Sequence, residues 1–147
     1  MAHSYANNFV HCVFSTKDRV ANISEGIRSR VWAYVMGTAE HLGIRLICIG
    51  GTADHLHMLI ALPASCTLSS AVQRLKANSS RWMNEQGVMF AWQEGYAAFS
   101  VSPSQVERVK EYIRNQAEHH KRRNFEEEFL AFLKKSGVEY DPKQVFG

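Results

Sequence analysis

A chain of 147 residues with a net charge of +3 at pH 7 is the size of one domain around one core, here expected to span residues 1–147. Its hydrophobic fraction of 46% and charged fraction of 21% are those of an ordinary soluble globular protein. No apolar stretch is long enough to span a bilayer, and residues 1–8 lack the basic-then-apolar pattern of a signal peptide, so the expected setting is cytoplasmic, with no membrane partner.

Residues 8–15 (NFVHCVFS) read as a buried strand. Ser24 is placed to cap a helix whose apolar stripe is Ile27, Val31, Val35 and Leu42, and Gly43 stops it. Residues 44–49 form a second strand, residues 50–54 (GGTAD) a turn, and residues 55–62 a third strand, which the short connection makes an antiparallel hairpin. Thr67 starts a second helix with Leu68, Ala71, Val72, Leu75 and Met83 on its apolar side, ending at Gly87. Phe99 to Val101 belong to a fourth strand. A third helix runs from Ser104 to His120, with Val106, Val109, Ile113 and Ala117 facing the core. A fourth begins near Asn124 and stops at Gly137. Its glutamates (Glu126, Glu127, Glu128) lie at the positive end of the helix dipole and Lys134 and Lys135 at the negative end.

The order strand–helix–strand–strand–helix–strand, followed by two helices, is the split βαβ or ferredoxin-like pattern: an α+β fold with an antiparallel sheet, helices on one face, and C-terminal helices added. This pattern leaves the other face of the sheet free. Cys12, Cys48 and Cys66 have no metal-type spacing, and Cys12 and Cys48 lie in apolar runs as reduced thiols.

His55-Leu56-His57 carries the most information. Side chains two apart in a strand share a face, so both imidazoles point one way, while Leu56, Met58, Ile60 and Leu62 point the other. Two imidazoles on the free face or its rim form half of a metal site. In the third helix Tyr112 and Gln116 are four apart and share a face, which Arg108, Asn115 and His119 extend. Each element has a plain structural explanation: half-exposed strand histidines, a tyrosine bordering the core, a solvated glutamine, a solvated run at Lys121-Arg122-Arg123. Their combination in one small domain favours function.

With these residues in view, the chain resembles the single-tyrosine transposases of the IS200/IS605 type, in the HUH nuclease superfamily. His55-Leu56-His57 matches the family's histidine–apolar–histidine. Tyr112 with Gln116 matches its helical tyrosine followed four residues later by glutamine. Further family-like stretches are residues 13–17 (VFSTK), Leu75-Lys76 with Ser79-Ser80, residues 92–102 (WQEGYAAFSVS) and Glu118-His119-His120.

The resemblance implies a ferredoxin-like fold, a homodimer, a divalent metal, and cleavage of single-stranded DNA at element ends folded into hairpins. It also implies that the tyrosine helix of one subunit can complete the site of the other. Tyr112 is then the nucleophile, forming a covalent phosphotyrosine intermediate, and His55, His57 and Gln116 hold Mg²⁺ or Mn²⁺. No dedicated general base is evident beside Tyr112; Arg108, one turn earlier, is placed to favour the phenolate or hold a phosphate oxygen. Phosphate contacts are expected from Lys17, Arg19, Arg74, Lys76, Arg81, Arg108, Lys121, Arg122 and Arg123, and base stacking from Trp82, Trp92 and Tyr96, with core packing an equal alternative for Trp82. Two other functions fit the same elements: a ferredoxin-like nucleic-acid-binding module without turnover, and a metal-dependent phosphodiesterase using water.

Overall fold

The computed structural model describes residues 3, 5–116 and 124–141. Four strands form one sheet: β1 (Asn8–Ser15), β2 (Arg45–Gly51), β3 (His55–Leu62) and β4 (Ala97–Val101), in the order β2-β3-β1-β4. Every neighbouring pair is antiparallel. Among the described residues four helices are bounded, in the expected order: α1 (Glu25–His41), α2 (Leu68–Glu85), α3 (Val106–Arg114) and α4 (Phe125–Lys135). This is the ferredoxin-like α+β arrangement.

Local chemistry explains the element boundaries. Thr67 accepts a hydrogen bond from the Ser70 amide and Asn124 one from the Glu127 amide, each satisfying a helix N-terminal donor. Ser24 occupies the corresponding position on α1 without a side-chain cap. Gly43, Gly87 and Gly137 follow α1, α2 and α4 with positive φ, the left-handed backbone that ends helices. Gly50 and Gly51 belong to β2 rather than to the turn, so the hairpin connection is residues 52–54.

The face of the sheet left open in the sequence reading is covered. Cys12, Phe14, Leu56, Met58 and Ile60 pack against Val31 and Val35 of α1 and Ala71, Val72, Leu75 and Met83 of α2. On the opposite face, Ile113 of α3 packs on Cys48 and Leu59. Phe129 and Leu133 of α4 pack on Val13, Ala97 and Phe99. His55 and His57 are therefore not on a free face or its rim but in a second interior, because α3 and α4 return across the sheet.

The third helix is interrupted within the span its periodicity suggests, and Gln116 is helical again after Asn115. Residues 103–105 form a 3₁₀ turn, α3 begins at Val106, and it ends at Arg114. Asn115, with φ −98° and ψ 26°, breaks it, as suits a side chain that competes for backbone hydrogen bonds. The expected continuation, Ala117 to His120, lies outside the described residues. No helix among the described residues is long and apolar enough to cross a membrane.

Candidate active site

Three elements converge on the second interior. β3 supplies His55 and His57, the end of α3 supplies Tyr112 and Gln116, and α4 supplies Glu128. The histidines are 0% exposed, Gln116 is 1% and Glu128 3%. The break at Asn115 leaves Gln116 beyond α3 with its amide N–H donating to the Tyr112 carbonyl (3.3 Å) and its Oε1 3.1 Å from His55 Nε2. Glu128 Oε1 lies 2.9 Å from His57 Nε2 and 4.0 Å from His55 Nε2. The Tyr112 ring stands edge-on to His57, 5.7 Å between centroids, and against Phe132 at 5.3 Å.

Both histidines are gripped at their other nitrogen. His55 Nδ1 is 2.9 Å from Asp54 Oδ1 and 2.9 Å from Thr52 Oγ1. A carboxylate only accepts, so it holds a proton on Nδ1, and Nε2 is left facing the Gln116 oxygen. His57 Nδ1 is 2.9 Å from Nε2 of His11, a β1 residue 2% exposed. Burial, then the neighbouring His57, pushes the His11 pKa down to about 3, with Glu128 opposing, so His11 is neutral at physiological pH.

The donor set fits a divalent cation. His55, His57 and Glu128 each offer a ligand atom, all within 4.8 Å of one another, and the Gln116 oxygen adds a fourth. In an octahedral shell with bonds of about 2.1 Å, adjacent ligand atoms sit about 3.0 Å apart and opposite ones about 4.2 Å. The 3.1 Å, 2.9 Å and 4.0 Å separations fall within that range, close enough for these atoms to share one cation.

The structure thus brings together His55, His57, Gln116 and Tyr112, all named from sequence, and within a single chain. Sequence reasoning missed Glu128, His11 and Asp54. Glu128 was legible in part: among the three glutamates it is the one in helical phase with Phe132, on the side where α4 is apolar. His11 falls on the histidine face of β1 by alternation, but only strand pairing places it beside His57.

The basic residues do not gather around this centre. Arg74 and Arg81 are exposed on α2 and Arg108 on α3, on opposite layers. Lys17 is exposed after β1, and Arg19 pairs with Glu126 of α4. Lys76 is occupied: its ammonium donates to the carbonyls of Gln93, Glu94 and Gly95, and burial lowers its pKa. Lys121, Arg122 and Arg123 lie outside the described residues. Trp92 is a core residue rather than a stacking platform, since it is 7% exposed and its indole N–H donates to Ser79 Oγ. Trp82 stacks on Tyr34 beneath Arg30, and Tyr96 remains exposed.

The comparisons with known proteins show the family. Residues 4–116 match the family described as "Transposase IS200 like". The transposases for insertion sequence element IS200 of Salmonella typhimurium and Salmonella typhi are each 29% identical over 129 residues, covering 82% of this chain and 84% of the relative. A crystal structure from Deinococcus radiodurans R1, of a protein assigned to the transposases, superposes with a TM-score of 0.62 at 20% identity, covering 79% of this chain and 96% of the other. A REP-associated tyrosine transposase bound to a REP hairpin gives 0.62 at 12% identity, covering 82% and 74%. At those identities the structural likenesses speak for the fold, and the sequence match decides the rest: the chain belongs to the IS200-like transposase family.

Proposed function

We propose that this transposase cuts and rejoins single-stranded DNA at hairpin-bearing ends through Tyr112, with Mg²⁺ or Mn²⁺ held by His55, His57, Gln116 and Glu128. The observation that carries the reading is the convergence of two imidazole nitrogens, a carboxylate oxygen and an amide oxygen in one buried centre, with a tyrosine ring packed against one of the imidazoles. The hairpin bound by the structurally similar REP-associated enzyme supports hairpin DNA as the substrate.

The divalent ion, when bound, polarises a phosphate oxygen of the scissile phosphodiester. Tyr112 supplies the nucleophile. Its phenolic oxygen bonds to phosphorus, the bond from phosphorus to one deoxyribose oxygen breaks, and the phenol proton is passed on so that this sugar leaves as a hydroxyl. The DNA remains joined to the protein by a phosphotyrosine ester. A second deoxyribose hydroxyl then attacks the same phosphorus, re-forms a phosphodiester and returns Tyr112 to the phenol. Because one ester replaces another, rejoining needs no nucleotide hydrolysis.

Lys17, Arg19, Arg74, Arg81 and Arg108 contribute phosphate contacts, the salt-dependent part of affinity. The family resemblance adds a homodimer, read directly as twice the chain mass by light scattering. Two imidazoles suit Mn²⁺ as well as Mg²⁺.

The deciding experiment incubates the protein with single-stranded hairpin DNA and Mn²⁺, and looks for a denaturation-resistant adduct. The wild type is expected to form it and Tyr112→Phe to form none. An adduct from Tyr112→Phe sinks the assignment. Cleavage that survives this change points to a phosphodiesterase using water, and DNA binding without cleavage by the wild type points to a binding module.

A further inference from the structure

We propose that His11 is a positioning residue for this centre, holding His57 at Nδ1 so that Nε2 stays aimed at Glu128. The inference rests on the metal site of the proposed function. In the β1–β3 register His11 lies opposite Leu59, and Val13 opposite His57. His11 is thus diagonal to His57 on the same face, within reach of a long side chain. The two rings stack at 5.1 Å with 29° between their planes, and His11 Nε2 meets His57 Nδ1 at 2.9 Å. Phe132 at 5.3 Å, Phe99 at 6.1 Å and Tyr112 at 6.2 Å wall the His11 ring.

A strand position enclosed by aromatic rings is served for stability by valine or leucine. An imidazole there carries a desolvation cost that its hydrogen bond offsets. What the imidazole adds is reversibility. While His57 Nε2–H donates to Glu128, His57 Nδ1 accepts, and His11 donates from Nε2. When His57 Nε2 offers its lone pair to a cation, it gives up its proton to solvent, the shared proton passes from His11 Nε2 to His57 Nδ1, and His11 takes a proton from solvent at its own Nδ1. His55 is served differently, by the Asp54 carboxylate and the Thr52 hydroxyl, which hold one tautomer. His11 is therefore the adjustable support, and Asp54 the fixed one.

The test uses the full chain, with ring nitrogens labelled by ¹⁵N and Zn²⁺ as a diamagnetic probe. His57 is expected to be protonated at Nδ1, with scalar coupling through the hydrogen bond to His11 Nε2. His11→Phe is expected to weaken Mn²⁺ binding, measured by calorimetry, by about 10–100-fold. His11→Gln, which can donate or accept, is expected to restore most of the loss. A folded His11→Phe protein with unchanged Mn²⁺ affinity overturns the proposal, as does Zn²⁺-loaded wild type without the coupling. If His11→Phe does not fold, the coupling in the unaltered protein decides. If the wild type binds neither ion, the metal reading fails by itself. Coupling between the same two nitrogens in the metal-free chain then still decides the role of His11.

Discussion

Strand β3 has two interiors on its two sides. Toward α1 and α2 it presents Leu56, Met58 and Ile60 to a hydrocarbon core. Toward α3 and α4 it presents His55 and His57 to Gln116, Glu128, His11 and a collar of aromatic rings. Both sides exclude water, since all five of these β3 residues are at most 1% exposed. The first side is non-directional: any well-fitting apolar group serves it. The second depends on direction, because each buried polar atom needs a partner at a particular angle. One side holds the sheet together, and the other holds reactive groups in place.

Substitutions on the two sides should therefore fail differently. The largest contrast is expected from Tyr112→Phe. It should abolish the DNA adduct in a denaturing gel while changing unfolding free energy by no more than about 1 kcal/mol. Met58→Ala, on the hydrocarbon side, is the converse. It should cost about 2–5 kcal/mol in urea unfolding and leave Mn²⁺ affinity within about twofold at temperatures where the protein stays folded.

Gly50→Ala probes the seam between α3 and the sheet. A Cβ at Gly50 runs into the backbone carbonyl of Ile113, and backbone cannot swing aside as a side chain can. The helix end bearing Tyr112 and Gln116 must then shift, lowering the adduct-forming rate by about 10–100-fold. A wild-type rate would mean that α3 need not sit where it does.

A graded effect, spread over several pH units, is expected from pH. Burial holds the pKa of His11 at about 3 in the folded protein, against an ordinary 6.5. Between those pH values the unfolded chain binds a proton that the fold refuses. Stability is therefore full above about pH 6.5 and falls as pH drops toward 3, by up to about 1.4 kcal/mol per pH unit from this group. Urea titrations at several pH values measure the slope, and His11→Phe should flatten it. The smallest change is Thr67→Ala on the α1/α2 layer. It removes the cap on the Ser70 amide and should cost about 1 kcal/mol, with adduct formation unaltered.

Much of this molecule is legible in the chain. Strands β1 and β3 follow alternation and composition, and the starts of α2 and α4 follow caps that the structure confirms at Thr67 and Asn124. Cys12 is the buried, reduced thiol its apolar run implies, with burial raising its pKa to about 12. The end of α3 was not legible. Helical periodicity continues past Arg114 and gives no sign of the turn at Asn115. Nor was the role of Glu128. A glutamate in the first turn is explained by the helix dipole alone, and the phase that sets Glu128 with Phe132 does not say which face of the sheet α4 covers, while Glu126 pairs with Arg19.

The sequence by itself determined the order of elements, the shared face of His55 and His57, and the pairing of Tyr112 with Gln116. These follow from periods of two and of about 3.6 residues, which are properties of the local backbone. Only the tertiary structure decided that the histidine face is an interior, that Glu128 and His11 join it, and that Asp54 fixes one imidazole while a neutral ring supports the other. Those contacts span 46 residues from His11 to His57 and 71 from His57 to Glu128. They exist because two C-terminal helices fold back over the sheet, and no local period encodes that return.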